Sequence, residues 1–96
     1  MIKHVVCYKL KDSSLESRNK TKEVLMSMVG KVKHFNSITV GIDCLGIERS
    51  YDIVLEMTFN SFDDMEQYQK DPYHVEVVKK YMHAARLTSV SVDYEF

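Results

Sequence analysis

The sequence predicts an α+β fold: a ferredoxin-like βαββαβ protomer with a four-stranded antiparallel sheet and helices on one of its faces. Two observations predict this class. Segments with alternating apolar side chains, which are typical of strands, are interspersed with segments of helical spacing in the order βαββαβ along 96 residues. The sheet is also half apolar on the face without helices. Two copies packed face to face about a two-fold axis would cover that face.

The first strand is predicted from Ile2 to Leu10, because its side chains alternate between two environments. His4, Val6 and Tyr8 share the face that we assign to the helices. Cys7 belongs to the opposite face, which we assign to the partner sheet. A histidine and a tyrosine therefore accompany apolar residues on the inner side of this strand.

A first helix is predicted after the break that follows this strand. Ser13 and Glu16 form a capping-box pattern, in which each side chain binds a free backbone N–H group of the first turn. Apolar residues spaced three and four apart continue the pattern. We therefore expect a helix from about Leu15 to Val29 or Val32.

Two further strands are predicted in the middle of the chain, at Ser37 to Leu45 and at Tyr51 to Phe59. Both are rich in β-branched or aromatic residues. The short polar segment Gly46 to Ser50 is suited to a hairpin connection between them. Gly41 lies within the first of the two strands and indicates either a bulge or a close approach of another backbone.

Helices are predicted again between the third and the last strand. Asn60 and Ser61 can cap a helix from about Phe62 to Gln69. The pair Asp71-Pro72 then restarts a helix, with the aspartate as N-cap and the proline in the first helical position. We expect this helix to continue to about Ala85.

The last strand is predicted from Leu87 to Phe96, with Val90, Val92 and Tyr94 on one face. A chain of this length can bury one hydrophobic core but has little apolar surface to spare. Residues 1–96 are therefore expected to form a single domain. The sequence contains no internal repeat and no linker.

Composition excludes several classes of function. The formal net charge is −1 and the lysines form no basic stripe, so we expect no nucleic-acid partner. No apolar run reaches the ~20 residues of a membrane-spanning helix, and the first residues do not resemble a signal peptide. We therefore expect no membrane association and a cytoplasmic location. Cys7 and Cys44, both in predicted strands, are expected to be free thiols.

Five segments together resemble a known family: Ile2–Val6, Ser50–Leu55, Thr58–Ser61, Tyr68–Val78 and Val92–Glu95. The family is the stress-responsive dimeric α/β-barrel (Dabb) domain, and the resemblance covers essentially the whole chain. It implies that the sheets of two protomers pair to form a dimeric α/β barrel. The segment Lys33–Asn36 departs from the family, which often has Pro-Gly at that connection, so the pocket mouth near it is expected to differ.

The resemblance also implies candidate catalytic residues. Some plant members are polyketide cyclases that perform an intramolecular aldol condensation without a metal or a cofactor. They use a histidine in a "Pro-x-His-Val" segment and a tyrosine before it, and these match His74 and Tyr68. His4 matches a first-strand histidine that lines the same pocket.

The residues themselves allow two interpretations of this site. His74 shares helical spacing with apolar residues and could act as a general base, or it could bind a backbone carbonyl and pack the helix. Tyr68 could hold a carbonyl oxygen of a ligand, or it could be half-buried with its hydroxyl in water. His4 lies on the helix-facing side of the sheet and could reach His74, or it could be a core histidine.

We expect a pocket for a small hydrophobic or aromatic ligand between the sheet and the helices, with Tyr8, Met57 and Val78 in its wall. No metal is expected, because the histidines show no i,i+4 pairing and neither cysteine is near a histidine in the sequence. Three glycines are too few for a glycine-rich phosphate loop. No cofactor is therefore predicted.

Three hypotheses on function remain open from the sequence. The first is a homodimer that binds a small ligand, with no defined activity. The second is a cofactor-free cyclase or isomerase that uses His74 as base, Tyr68 as carbonyl anchor and His4 as a supporting polar group. The third is a structural or interaction dimer with a filled core.

Overall fold

A computed structural model describes residues 1–96 and confirms the ferredoxin-like order of strands and helices. The four strands form one antiparallel sheet in the order β2-β3-β1-β4. The elements are β1 Ile2–Leu10, α1 Leu15–Met26, β2 Ser37–Ile42, β3 Ile53–Phe59, α2 Phe62–Lys70, a π-helical segment His74–Lys79, α3 Lys80–Ala85 and β4 Arg86–Glu95. None of the helices is long and apolar enough to cross a membrane.

The hydrophobic core lies between the sheet and the helices. Every second residue of β3 is buried there, in agreement with the predicted alternation: Ile53, Leu55, Met57 and Phe59. Leu25 and Met28 are buried in the same core from α1 and from the turn that follows it. We call the helix-covered side of the sheet the inner face and the opposite side the outer face.

The first helix is shorter than predicted and has a different cap. The hydroxyl of Ser14, rather than that of Ser13, accepts a hydrogen bond from the N–H of Ser17 at 3.2 Å. The helix ends at Met26, and turns carry the chain to Gly30 with φ of 81°. Val32 is nevertheless buried, because the loop folds it back onto the core. Its apolar spacing therefore signalled burial and not a continuing helix.

The hairpin between β2 and β3 is longer than predicted. β2 ends at Ile42, and Cys44 lies in the loop rather than in a strand. The carboxylate of Asp43 accepts a hydrogen bond from the N–H of Gly46 at 2.7 Å, which tightens the turn. The carboxylate of Asp52 accepts one from the N–H of Leu10 at 2.8 Å, which ties the loop to the end of β1. Both cysteines are free.

Gly41 marks the close approach of a side chain, and neither a bulge nor the predicted approach of another backbone. The pairing of β2 with β3 continues through it without a register shift. A Cβ atom at Gly41 would lie 3.0 Å from the Cγ1 atom of Val54, its partner on β3. The absence of a side chain lets the valine occupy this space.

The predicted caps of the later helices are present. The hydroxyl of Ser61 accepts a hydrogen bond from the N–H of Asp64 at 3.1 Å. The carboxylate of Asp71 accepts one from the N–H of Tyr73 at 2.9 Å. The structure differs from the prediction in the next turn, where the chain adopts a π-helix before it returns to α geometry at Lys80. Such π segments often occur at functional sites.

Candidate functional site

A cavity of about 210 Å³ lies between the inner face of β1 and β4 and the helical segment that begins with His74. His4, Tyr68 and His74 all belong to its wall. The three candidate residues chosen from the sequence therefore meet at one place, although they come from a strand, a helix and a π segment. Whether they act on a ligand stays a prediction.

The predicted pocket wall is present only in part. Tyr8 and Val78 line the cavity. Met57 does not line it, because its side chain is fully buried in the core between β3 and the helices. Alternation placed Met57 correctly on the inner face, but it did not show that helices close over that part of the sheet.

His74 is oriented by the end of the preceding helix. Its Nδ1 atom lies 3.3 Å from the backbone carbonyl oxygen of Gln69, and this carbonyl belongs to the last turn of α2, where helix carbonyls lack helical partners. A carbonyl can only accept, so Nδ1 is the protonated nitrogen. Burial lowers the pKa of His74, with the Gln69 hydrogen bond acting in the opposite direction. The neutral ring then leaves Nε2 unprotonated and able to accept a proton.

Tyr68 stacks against His74 in a tilted arrangement, with ring centroids 4.3 Å apart. Its other neighbours are Phe59 at 5.3 Å and His4 at 6.2 Å between centroids. The side chain is almost completely buried. Burial raises the pKa of Tyr68 well above the ordinary value of a phenol. The hydroxyl therefore stays protonated at neutral pH and can donate a hydrogen bond to a ligand oxygen.

His4 is held by a carboxylate from the neighbouring strand. Its Nδ1 atom donates to Oδ1 of Asp93, the residue directly opposite it in the β1–β4 ladder. The His4 side chain is nearly buried, while that of Asp93 is about one-third exposed. The carboxylate orients the ring, so Nε2 is the nitrogen left for other partners.

Several polar residues of the cavity wall were not selected from the sequence: Lys79, His83, Arg86, Ser89 and Ser91. The sequence pattern of β4 could have revealed the two serines. Ser89, Ser91 and Asp93 alternate with Val90 and Val92, which gives β4 a small polar inner face. Nothing in the local sequence indicated that Arg86 faces the cavity.

No three side chains of histidine, cysteine, aspartate or glutamate come together in a way that could hold a metal ion. His34 lies in the loop before β2, outside the cavity wall, and is one of the exposed residues of that loop. The site thus consists of two oriented imidazoles, a buried phenol and a set of hydroxyl and cationic groups. This set can donate protons, accept them and bind oxygen atoms.

Comparison with known proteins agrees with this fold. The family model described as Stress responsive A/B Barrel Domain matches residues 2–96. Comparison with curated proteins gives no match. Among solved structures, a dimeric protein of unknown function and ferredoxin-like fold from Bacteroides fragilis is 29% identical to this chain, with a TM-score of 0.84. That alignment covers 99% of this chain and 95% of the other.

Two other solved structures share this fold. A Dabb family protein with a ferredoxin-like fold from Mesorhizobium loti is 17% identical, has a TM-score of 0.85, and is aligned over 99% of this chain and 95% of its own. The hydroxynitrile lyase from Passiflora edulis is 19% identical, with a TM-score of 0.79 and coverage of 97% and 90%. At these identities the likeness establishes the fold.

Proposed function

The chain belongs to the stress-responsive A/B barrel domain family, and from that premise we propose that it forms a homodimer through its outer sheet face and binds a small ligand in the cavity. The observation that carries the ligand proposal is the space beside His4, Tyr68 and His74. A cavity of about 210 Å³, open to solvent, lies next to three polar, oriented side chains.

Apolar side chains on the outer face of β4 support the homodimer. Val92 is 63% exposed and Phe96 is 61% exposed, and Val90 and Tyr94 are also exposed beside them. Their partners across the ladder include Val5 and Cys7 of β1. An apolar face of this kind is typical of a protein–protein interface. The related protein from Bacteroides fragilis is described as dimeric.

Light scattering after size-exclusion chromatography tests the dimer. We expect a mass twice the 11.2 kDa of one chain at micromolar concentration. Val92→Glu should give a monomer, because two copies of the charge would be buried at the interface. Val75→Glu is the control, because Val75 is exposed on the helical segment and not on the sheet. A monomeric wild-type protein would contradict the proposal.

The size of the cavity limits the ligand. Sites for drug-sized molecules usually measure about 300–1,000 Å³, so this cavity suits a smaller molecule of roughly one ring or a short chain. Val6, Leu25 and Val78 supply an apolar part of the wall, and the histidines and Tyr68 supply a polar part. The ligand should therefore combine a small carbon skeleton with at least one oxygen atom.

Amide resonances in a titration with small aromatic and acyl compounds test ligand binding. We expect shifts concentrated around Tyr68 and His74. Ser89→Leu should abolish them, because the larger side chain enters the cavity from β4. Ser13→Leu is the control at an exposed site outside the cavity. If no compound shifts these resonances, the structural-dimer hypothesis is favoured.

A second candidate function is cofactor-free proton transfer at carbon. The specific observation is the orientation of His74: its Nδ1 donates to Gln69, and burial lowers its pKa, so Nε2 is a free base. In such a reaction Nε2 would remove a proton next to a ligand carbonyl. The resulting negative charge would rest on the carbonyl oxygen, which the hydroxyl of Tyr68 could stabilise.

Exchange of the methyl protons of acetophenone in deuterated water tests this chemistry without knowledge of the natural substrate. We expect the wild-type protein to accelerate the exchange, as followed by NMR. His74→Ala should remove the acceleration and Tyr68→Phe should reduce it. His34→Asn is the control at a histidine outside the cavity. Equal rates with wild type and His74→Ala would exclude His74 as the base for this probe.

A further inference from the structure

Arg86 faces the cavity because of an irregularity in the β1–β4 ladder. The pairing passes from Lys9 with Thr88 to Leu10 with Arg86, so Leu87 has no partner. In a regular ladder side chains alternate, and Arg86 would lie on the outer face together with Thr88. The extra residue reverses this alternation and places Arg86 opposite Leu10, on the inner face. Bulges beside functional sites often re-aim a side chain in this way.

The backbone holds Arg86 firmly in this position. Its N–H group donates to the carbonyl oxygen of Met82, which closes the last turn of α3. On the neighbouring strand the N–H group of Lys11 donates to the carbonyl oxygen of Ala85 at 2.9 Å. The junction between α3 and β4 is therefore fixed on both sides, and the guanidinium group projects from a rigid element.

The cavity wall is cationic and contains no carboxylate. Besides Arg86 it includes the cationic side chain of Lys79, which is exposed. The salt bridges of the structure join Lys20 with Glu23 and Lys70 with Glu66, and the carboxylate of Asp93 accepts a hydrogen bond from His4. Arg86 takes part in none of them, although it is partly buried. The guanidinium group therefore has no carboxylate partner within the protein, and an anion from outside can pair with it.

One group of the cavity wall that could carry a negative charge beside Arg86 is the phenol of Tyr8. Burial raises the pKa of Tyr8 to about 12, with the charge of Arg86 acting in the opposite direction. The phenol is therefore neutral at physiological pH and does not balance the arginine. It can instead donate a hydrogen bond to the same ligand.

We propose that the cavity binds a small organic carboxylate, with Arg86 holding the carboxylate group and the apolar wall holding the carbon skeleton. This inference rests on the ligand-binding function proposed above and specifies its ligand class. The planar guanidinium group offers two parallel N–H donors that match the two oxygens of a carboxylate. The hydroxyl groups of Ser89 and Ser91, on the same face of β4, are further donors beside it.

Matched pairs of ligands that differ only in charge test the proposal. The probes are benzoate with benzamide and butyrate with butyramide, titrated against the 15N-labelled protein. We expect wild type to bind each carboxylate at least about tenfold more tightly than its amide, as charge-assisted hydrogen bonds allow. Arg86→Gln should lower that preference to less than about threefold, because the carboxylates lose more affinity than the amides.

Two further variants make the result specific. Arg86→Lys keeps the charge without the forked donors and should retain an intermediate preference. It also serves as the test variant if Arg86→Gln does not fold, which thermal unfolding reveals. Arg49→Gln removes an exposed arginine outside the cavity and should leave the wild-type preference intact.

The possible failures can be distinguished. If carboxylates and amides bind wild type equally well at the cavity, the carboxylate inference is overturned while the ligand-binding function stands. The same conclusion follows if Arg86→Gln keeps the full preference for carboxylates. If no probe of either kind binds at the cavity, the ligand-binding function itself is contradicted.

Discussion

The strands β3 and β4 flank the same central strand, yet they differ completely in burial. In β3 every inward-facing residue is buried. In β4 no residue is buried on either face. Both strands are antiparallel to β1 and share its pleat. The difference therefore does not arise within the sheet.

The helices account for the inner face. α1 packs mainly on β2 and β3, and α2 packs on β3. β4 instead presents the short side chains of Ser89 and Ser91 toward the helical segment, and the cavity lies there. The inward-facing side chains of β3 lie under the helices and are core, whereas those of β4 are not covered in this way. Oriented polar groups line the accessible half.

The largest effect should come from the packed half. Phe59→Ala should lower the free energy of unfolding by about 3–5 kcal/mol, because the ring is fully buried and packs against Tyr68. Urea unfolding measures the change. Phe62→Ala is the matched control, since Phe62 is exposed, and should change stability by less than about 0.5 kcal/mol. Similar losses of unfolding free energy for both variants would contradict the conclusion that the inner face of β3 is tightly packed.

A smaller effect should come from the pair that links β1 to β4. Asp93→Asn keeps the shape of the side chain but removes the charge that His4 binds. We expect a loss of about 1 kcal/mol at neutral pH, because the pair is partly exposed. Glu95→Gln on the same strand is the control. Glu95 has no salt-bridge partner, so this substitution should have almost no effect on stability. Equal unfolding free energies for wild type and Asp93→Asn would show that the pair does not stabilise the sheet.

Next in size is the pH dependence contributed by His74. Burial lowers its pKa in the folded state below the ordinary value of 6.5, so between the folded pKa and 6.5 the unfolded chain binds more protons. The contribution of His74 to stability is therefore complete above pH 6.5 and is lost as the pH falls through the folded pKa.

Urea unfolding between pH 7.5 and pH 5 tests this contribution. His74→Gln should lose less stability than wild type over that range, because glutamine does not titrate. His83→Gln, at an exposed histidine, should keep the wild-type dependence. An unchanged dependence in His74→Gln would contradict the lowered pKa.

The smallest effect is expected on the accessible half of the inner face. Ser91→Ala should change the free energy of unfolding by less than about 0.5 kcal/mol, because the residue is exposed. Differential scanning calorimetry can compare the variant with wild type. A loss above about 1 kcal/mol would mean that β4 is packed as tightly as β3.

Sequence patterns identified the elements more reliably than their ends. Alternation in β1 and β3 assigned the correct residues to the inner face, because side chains alternate strictly across a strand. The capping residues Ser61 and Asp71 were also found, because caps are local hydrogen bonds, but Ser13 was predicted where Ser14 is the cap. The end of α1 was missed, because the apolar spacing continues to Val32. That residue is buried by a loop that folds back onto the core, and not by a continuing helix.

The site residues also divide into those that the sequence predicted and those that only the structure revealed. His4, Tyr68 and His74 could be chosen from the sequence through the family resemblance, and the structure brings them to one cavity. Met57 was correctly predicted on the inner face, but the prediction that it lines the cavity was wrong. Arg86 was missed, because its direction depends on the unpaired residue in the β1–β4 ladder.

The sequence by itself determined the order of the elements and the apolar faces, because these follow from local periodicity, and the resemblance of its motifs to a known family pointed to the three residues that line the cavity. Only the tertiary structure decided which half of the inner face is filled, which nitrogen of His74 is free and which way Arg86 points. The first and the last depend on contacts between residues far apart in the chain: helix against strand, and the register of one strand against another. The free nitrogen of His74 depends on the geometry at the break after α2, which brings the Gln69 carbonyl to the imidazole.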